Sequence, residues 1–354
     1  MEKQEWKVRD GNEKDMEQIL SLRKIVFGEM EKDKLDPGFW KWEFIEGPDG
    51  RALIYIIEDG GKIVGHFSDI PHRFFVNGKS LQGTISVDLM VHPDDRRRGF
   101  FFLMGRYASH RVRSERWDFM ASFPIREETI RGFAKLGWKA VVELPVLVYP
   151  VRFQGIINRY LRFPPASLIL GGITGFLHGI FLRSEKMRFN ENMRIDEVKE
   201  IDALFDPFWE KAVSSFPIVG IRSRSYLTRR YLEHPRWSYT IHRAMEGGEM
   251  KGYVVLRKVD LLEFKSAIIV DLLALDEDAL RVLVMRAIEY SRQEGRDLLG
   301  FMVPRNHKYY RILRRMGFLP SGKRFLLMVY PHGHERELLD AQDWYVNWGD
   351  TDVM

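Results

Sequence analysis

The residues with the clearest chemical purpose lie together in VDLMVHPDDRRRGFFFLM, residues 87–104. An apolar strand runs into polar residues, then into a turn carrying Arg96, Arg97, Arg98 and Gly99, then into an apolar helix starting at Phe100. A glycine in such a turn lets backbone amides approach a ligand closely. The first turn of the following helix offers unpaired N–H groups and the positive end of its dipole. Both features suit a pyrophosphate, and the three guanidinium groups add charge beside it. The turn alone fits equally well a basic strand-to-helix connection with no ligand. Groups able to move a proton surround the same strand: Asp88 and His92 bracket it, and His66, Asp69 and His72 fall on the strand before. Alternation along SVDLMV puts Val87, Leu89 and Val91 on one face and Asp88 and Met90 on the other. The chain has no cysteine, which removes disulfides, thiolate metal sites and a cysteine nucleophile together; no metal site is expected.

The elements that hold these residues occur twice. FWKWEFIEGP (39–48) matches YLTRRYLEHP (226–235) in its aromatic first and sixth positions, its Glu and its Pro. SVDLMV (86–91) matches IVDLLA (269–274), and FPIREETIRGFAKLGW (123–138) matches VPRNHKYYRILRRMGF (303–318). LVYP (147–150) and MVYP (328–331) close the two units. A repeat of this length means one supersecondary unit used twice. In the first unit the pattern predicts a strand over 5–9 and an amphipathic helix from about Glu13, with Ile19, Leu22, Val26 and Phe27 on one face. A second helix starts at Asp36-Pro37. A three-strand meander follows, turning at Gly60-Gly61 and Asn77-Gly78. A helix from Phe100, a strand near 117–123, a helix over 126–136 and a closing strand complete the unit. The second unit repeats this from about Met193, with its hairpin turn at Gly247-Gly248.

The expected organisation is therefore a first domain over 1–150, a connector over 151–192, a second domain over 193–335 and a tail over 336–354. With 354 residues, 45% hydrophobic and 30% charged, the chain has the composition of a globular protein of about two domains. Its 55 Lys and Arg against 50 Asp and Glu leave a net charge of +5 with no long basic block, so nucleic acid is not an expected partner. The charged N-terminus lacks the apolar run of a signal peptide, and a cytoplasmic location is expected. The apolar stretch 164–182 contains glycines, prolines and His178. It is expected to pack as a connector, with interfacial membrane contact the disfavoured reading.

The segment 87–104, the meander before it and the FAKLGW ending after it resemble the GCN5-related N-acetyltransferase (GNAT) superfamily over nearly all of residues 5–150. The family signature Arg/Gln-x-x-Gly-x-Gly/Ala is matched by Arg96, Arg97, Arg98, Gly99 and Phe100, and it departs at its last position, Phe101. The resemblance implies an α/β (α+β) fold: two GNAT-like mixed-sheet modules in tandem, the second degenerate. It implies acetyl-CoA as acyl donor, with pantetheine along the backbone of Leu89, Met90 and Val91. The pyrophosphate would then sit on the amides of Arg98, Gly99, Phe100 and Phe101. It implies direct attack of an amine on the thioester, with Asp88 as the base favoured by family habit and His92 as its rival. The tyrosine that family members use as thiolate acid is Phe133 here, and the family's asparagine is Arg126. Tyr107 is an available hydroxyl. Asp271, the counterpart of Asp88, argues for a structural role in both units.

The second unit carries DEDALRV where the first carries its Arg-rich turn. It has no glycine there, and its carboxylates would repel a pyrophosphate. The expected function is acyl transfer onto an amine of a small molecule or amino sugar. Two rivals are a non-catalytic acyl-CoA sensor and an aminoacyl transferase of the Fem type, which does not need the cradle.

Overall fold

The computed structural model describes residues 6–28, 32–152, 192–340 and 342–351. The apolar stretch 164–182, most of the connector 151–192 that contains it, and Met354 lie outside the described residues.

The first unit runs β1 (Trp6–Asp10), α1 (Met16–Phe27), α2 (Pro37–Phe44), β2 (Leu53–Asp59), β3 (Lys62–Val76) and β4 (Lys79–Val91). It continues through α3 (Phe100–Ser114), β5 (Phe119–Ser122), α4 (Glu127–Lys135) and β6 (Lys139–Pro150). Local chemistry fixes these boundaries. Asp36 accepts the Phe39 amide at 2.8 Å and Pro37 opens α2. Asn77 and Gly78 both take positive φ, 46° and 87°, as a two-residue hairpin turn requires.

The second unit runs β7 (Arg194–Val198), α5 (Phe205–Val213), β8 (Ile218–Gly220), α6 (Arg224–Leu227), β9 (Tyr239–Glu246), β10 (Glu249–Leu261) and β11 (Phe264–Ala274). It continues through α7 (Glu277–Gln293), β12 (Leu298–Met302), α8 (Lys308–Arg315) and β13 (Leu319–Tyr330), and the tail adds β14 (Trp344–Tyr345). The turn between β10 and β11 uses Leu262 and Glu263 at φ 54° and 66°. That turn carries no glycine signal.

All strands join one 14-stranded mixed sheet, ordered β1-β2-β3-β4-β5-β13-β6-β12-β11-β10-β9-β7 along its main path. The closing strands are exchanged. β13, from the second unit, lies antiparallel to β5 of the first, and β6, from the first, lies antiparallel to β12 of the second. The two pair with each other at the centre. The sheet therefore runs without a break through both stretches expected as domains, 1–150 and 193–335. β8 adds to β3, and β14 to β8, so the tail is also hydrogen-bonded into the sheet.

Helices α3 and α4 cover one face of the first unit over Tyr55, Phe67, Phe100, Met104, Phe133 and Trp138. Helices α1 and α2 cover the other, whose core continues into the second unit. No helix among the described residues is long and apolar enough to cross a membrane.

Candidate functional site

β4 pairs with β3 over its whole length but with parallel β5 only from Gly83 to Ile85. The Ser122 hydroxyl donates to the Ser86 carbonyl at 2.9 Å, and beyond that point the two strands part. Residues 87–91 then have a strand partner on one side only, which leaves a backbone edge facing a wedge-shaped opening. Within it the register slips: Ser68 faces Val87 and His66 faces Met90, so Asp88 and Leu89 together oppose Phe67. This is a bulge, with Asp88 at φ 55°. The bulge overturns the strict alternation expected from sequence. Val87 and Met90 pack in the α1/α2 core, while Leu89 and Val91 pack toward α3.

At the end of β4 the chain makes a 3₁₀ turn over Pro93–Arg98, reaches Gly99 at φ 77° and enters α3. No side chain caps α3, and a Cβ on Gly99 would meet nothing within 4 Å. The first amides of α3 therefore face open space, as an anion site requires. Arg98 is held by Asp59 and by Asp95 at 2.7 Å, with its guanidinium 4.6 Å from the Phe100 ring centre. Arg96 and Arg97 are exposed and have no ion pair among the described residues. Phe101, the departure from the family signature, has a steric explanation. Its ring lies where a Cβ on Gly132 of α4 would be, so its bulk is directed into the α3–α4 contact. The corresponding turn of the second unit closes on itself: Asp276 accepts the Ala279 amide at 2.8 Å and occupies the helix start with its own carboxylate.

The groups expected to move protons are placed differently from one another. Asp88 is buried and ion-paired to Arg23 of α1. Burial pushes its carboxyl up, but Arg23, Lys34 and His66 outweigh this and hold it below the ordinary carboxylate range. A carboxylate held that low is a weak proton acceptor. His92 sits at the end of β4 that leads into the 3₁₀ turn, where its Nδ1 accepts the Asp94 amide at 3.4 Å. His66 is fully buried, with Nδ1 3.0 Å from the Asp88 carbonyl. Asp69, also buried, accepts from Tyr55 and Thr84 at 2.9 Å each and from Ser86. Burial pushes its carboxyl up to about 6 against those hydrogen bonds. Phe133 stacks on Trp138 at 4.6 Å. The Tyr107 hydroxyl donates to Asp10 at 3.0 Å, at the β1 edge. Arg126 precedes α4, its guanidinium 5.8 Å from the Phe27 ring centre. No cluster of His, Cys, Asp and Glu able to hold a metal ion occurs among the described residues.

A pocket opens on the α1/α2 face between the units. Ile85, the last β4 residue paired with β5, lines it together with Trp42, His72, Tyr226, Arg230 and Asp350. Its free volume of about 80 Å³ has room for a few waters or the reactive end of a small molecule. Six of its 14 lining residues come from the second unit and the tail. In sequence the tail showed only as an unexplained run of aromatic and acidic residues.

In the second unit the tail packs against β11 and β12. Asp271 accepts from Arg222 Nε at 2.8 Å, from Tyr231 and Tyr253 at 3.1 Å each, and from Asn347 Nδ2 at 3.0 Å. Tyr345 donates to the Leu272 carbonyl, and Trp348 packs beside Gly300 of β12. The tail thus fills the opening between β11 and β12 that corresponds to the open wedge beside β4.

Residues 7–141 match the family described as Acetyltransferase (GNAT) domain. No curated protein matches the chain. Among solved structures, a GCN5-related N-acetyltransferase from Anabaena variabilis superposes with TM-score 0.66 at 10% identity, covering 93% of this chain and 73% of that one. Another from Kribbella flavida gives 0.62 at 14%, covering 92% and 71%. Saccharomyces cerevisiae N-myristoyltransferase with bound myristoyl-CoA gives 0.61 at 11%, covering 99% and 85%. At these identities the likeness is one of fold.

Proposed function

We propose that this chain, whose residues 7–141 match the Acetyltransferase (GNAT) domain family, transfers an acyl group, acetyl first among them, from acyl-CoA to an amine of a small molecule or amino sugar. The observation that carries this reading is the asymmetry between the two helix starts. Gly99 leaves the α3 amides open beside an unpaired β4 edge, whereas Asp276 and the tail close both features in the second unit. In this reading Arg98, Gly99, Phe100 and Phe101 offer amides to the pyrophosphate, with the charges of Arg96 and Arg97 nearby. The backbone of Leu89, Met90 and Val91 takes the pantetheine arm as an added strand. The acyl end then reaches the point where β4 and β5 part, with the amine entering from the pocket lined by Ile85. We assign Asp88 to fixing the bulge through Arg23, and His92 to shaping the turn.

The rival with support of its own is an acyl-CoA sensor, because Phe133 offers no proton to a leaving thiolate. The open cradle argues against the Fem type. The reading places the protein in the cytoplasm, in reach of the acyl-CoA pool, and gives it no nucleic-acid partner.

Calorimetry with acetyl-CoA tests the asymmetry. One molecule per chain is the expected stoichiometry, and two would overturn the account of the second unit. Release of CoA thiol on adding amines separates an enzyme from a sensor.

A further inference from the structure

His72 lies on β3, 4% exposed, with its ring against Phe74 and Tyr226 at 4.7 and 5.1 Å between centres. It lines the same pocket as Ile85 and stands opposite Gly83, two residues along β4 from it. A carboxylate stands on each side: Asp49 Oδ2 is 3.8 Å from Nδ1, and Asp350 Oδ1 is 3.6 Å from Nε2. Both distances exceed a hydrogen bond. Each carboxylate is paired with a guanidinium. Arg73 Nε donates to Asp49 at 2.6 Å. Arg222 Nη2 donates to Asp350 Oδ2 at 2.8 Å, and its Nη1 stands 2.8 Å from Oδ1 as an ion pair without hydrogen-bond geometry. Arg222 is shared with Asp271, so three carboxylates stand against two guanidinium groups, and a proton gained by the ring would face a carboxylate from either side. Gly220 shows how closely this is built: a Cβ there would collide with Arg222, Asp350 and His72 at once. The other charged or titratable groups facing the ring are Tyr226 of α6 and, across the pocket, Glu43 of α2 with Arg229 and Arg230.

We propose that His72 takes the proton from the acceptor amine, and that the tail supplies Asp350 to stabilise the imidazolium that forms. The proposal rests on the acyl-transfer reading. The ammonium proton passes to the imidazole, and the freed nitrogen pair forms the C–N bond. The C–S bond breaks with its electron pair on sulfur. The second nitrogen proton ends on the thiolate as CoA thiol, and the imidazolium proton leaves to solvent. The second unit, with its own cleft filled, then serves the first by presenting Arg222, Tyr226 and Asp350.

The test compares wild type with His72→Gln, using acetyl-CoA and whichever of glucosamine, spermidine and lysine the wild type acylates fastest. Acetyl-CoA affinity by calorimetry should stay within about threefold, while thiol release falls about a hundred- to ten-thousand-fold. The loss should shrink as pH rises and the amine deprotonates by itself. His72→Ala should regain part of its rate when imidazole is added, a rescue that a purely structural histidine would not show. Wild-type turnover in His72→Gln, or a loss independent of pH and not rescued by imidazole, overturns the proposal. A wild type that binds acetyl-CoA and acylates none of the three amines contradicts the transfer reading, and the role of His72 falls with it.

Discussion

Replacing Gly99 with Val should weaken acetyl-CoA binding by at least about a hundredfold, ~2.7 kcal/mol, while the protein stays folded. Gly99 sits at φ 77° in the left-handed region, where a β-branched residue is strained. Nothing lies within 4 Å of its hypothetical Cβ, so no packing is lost. The fold therefore bears only the backbone strain, about 1–2 kcal/mol. The ligand loses more, because the isopropyl group enters the space where its phosphates must meet the first amides of α3. Gly99→Asn separates the two effects. Asparagine tolerates the left-handed region, so it should melt close to wild type and still bind weakly. Calorimetry and a thermal melt on both variants check this, and unchanged affinity in Gly99→Val would refute the cradle.

Asp88→Asn should act mainly on stability, lowering it by about 3 kcal/mol or more, because it removes a buried charge to which the buried Arg23 guanidinium is paired. Adding Arg23→Met should restore much of the loss, since it removes the buried cation that Asp88 offsets. The pH dependence has a definite sign. The folded carboxyl of Asp88 is held below its unfolded value of about 3.9, so its contribution is complete above that pH and is lost as pH falls through the folded value. The gap in melting temperature between wild type and Asp88→Asn should therefore narrow below about pH 4. Denaturation at pH 7 and at acid pH measures both points. Equal stability at pH 7, with turnover lost, would return Asp88 to the role of base.

The elements of the first unit were legible because each carries its own local signal. Asp36-Pro37 marks a helix start, Asn77-Gly78 a turn, and the spacing of Ile19, Leu22 and Val26 an apolar face. The open helix start at Gly99 was legible for the same reason, since an Arg-rich turn with one glycine between strand and helix is a local pattern. What escaped depends on partners far away in the chain. LVYP and MVYP read alike, and neither reveals that β6 joins β12 while β13 joins β5. The bulge at Asp88 arises from pairing with β3, so alternation along β4 alone put Met90 on the wrong side of the sheet from Val87. Arg23 did leave a trace, as a charge set among the apolar positions of α1, and such a residue calls for a buried partner. His72 was visible only as one histidine near the site. Its two carboxylates come from a loop after α2 and from the tail, 23 residues before it and 278 after it in sequence.

The account turns on where acyl-CoA binds, and a crystal structure of the protein grown with CoA measures that directly. The expected density has the pyrophosphate over the amides of Gly99, Phe100 and Phe101 and the pantetheine beside Leu89, Met90 and Val91. The second cleft should still be filled by Asn347 and Trp348. Coenzyme bound at the Asp276 end of α7, or displacing the tail from Asp271, would contradict the assignment of the site to the first unit.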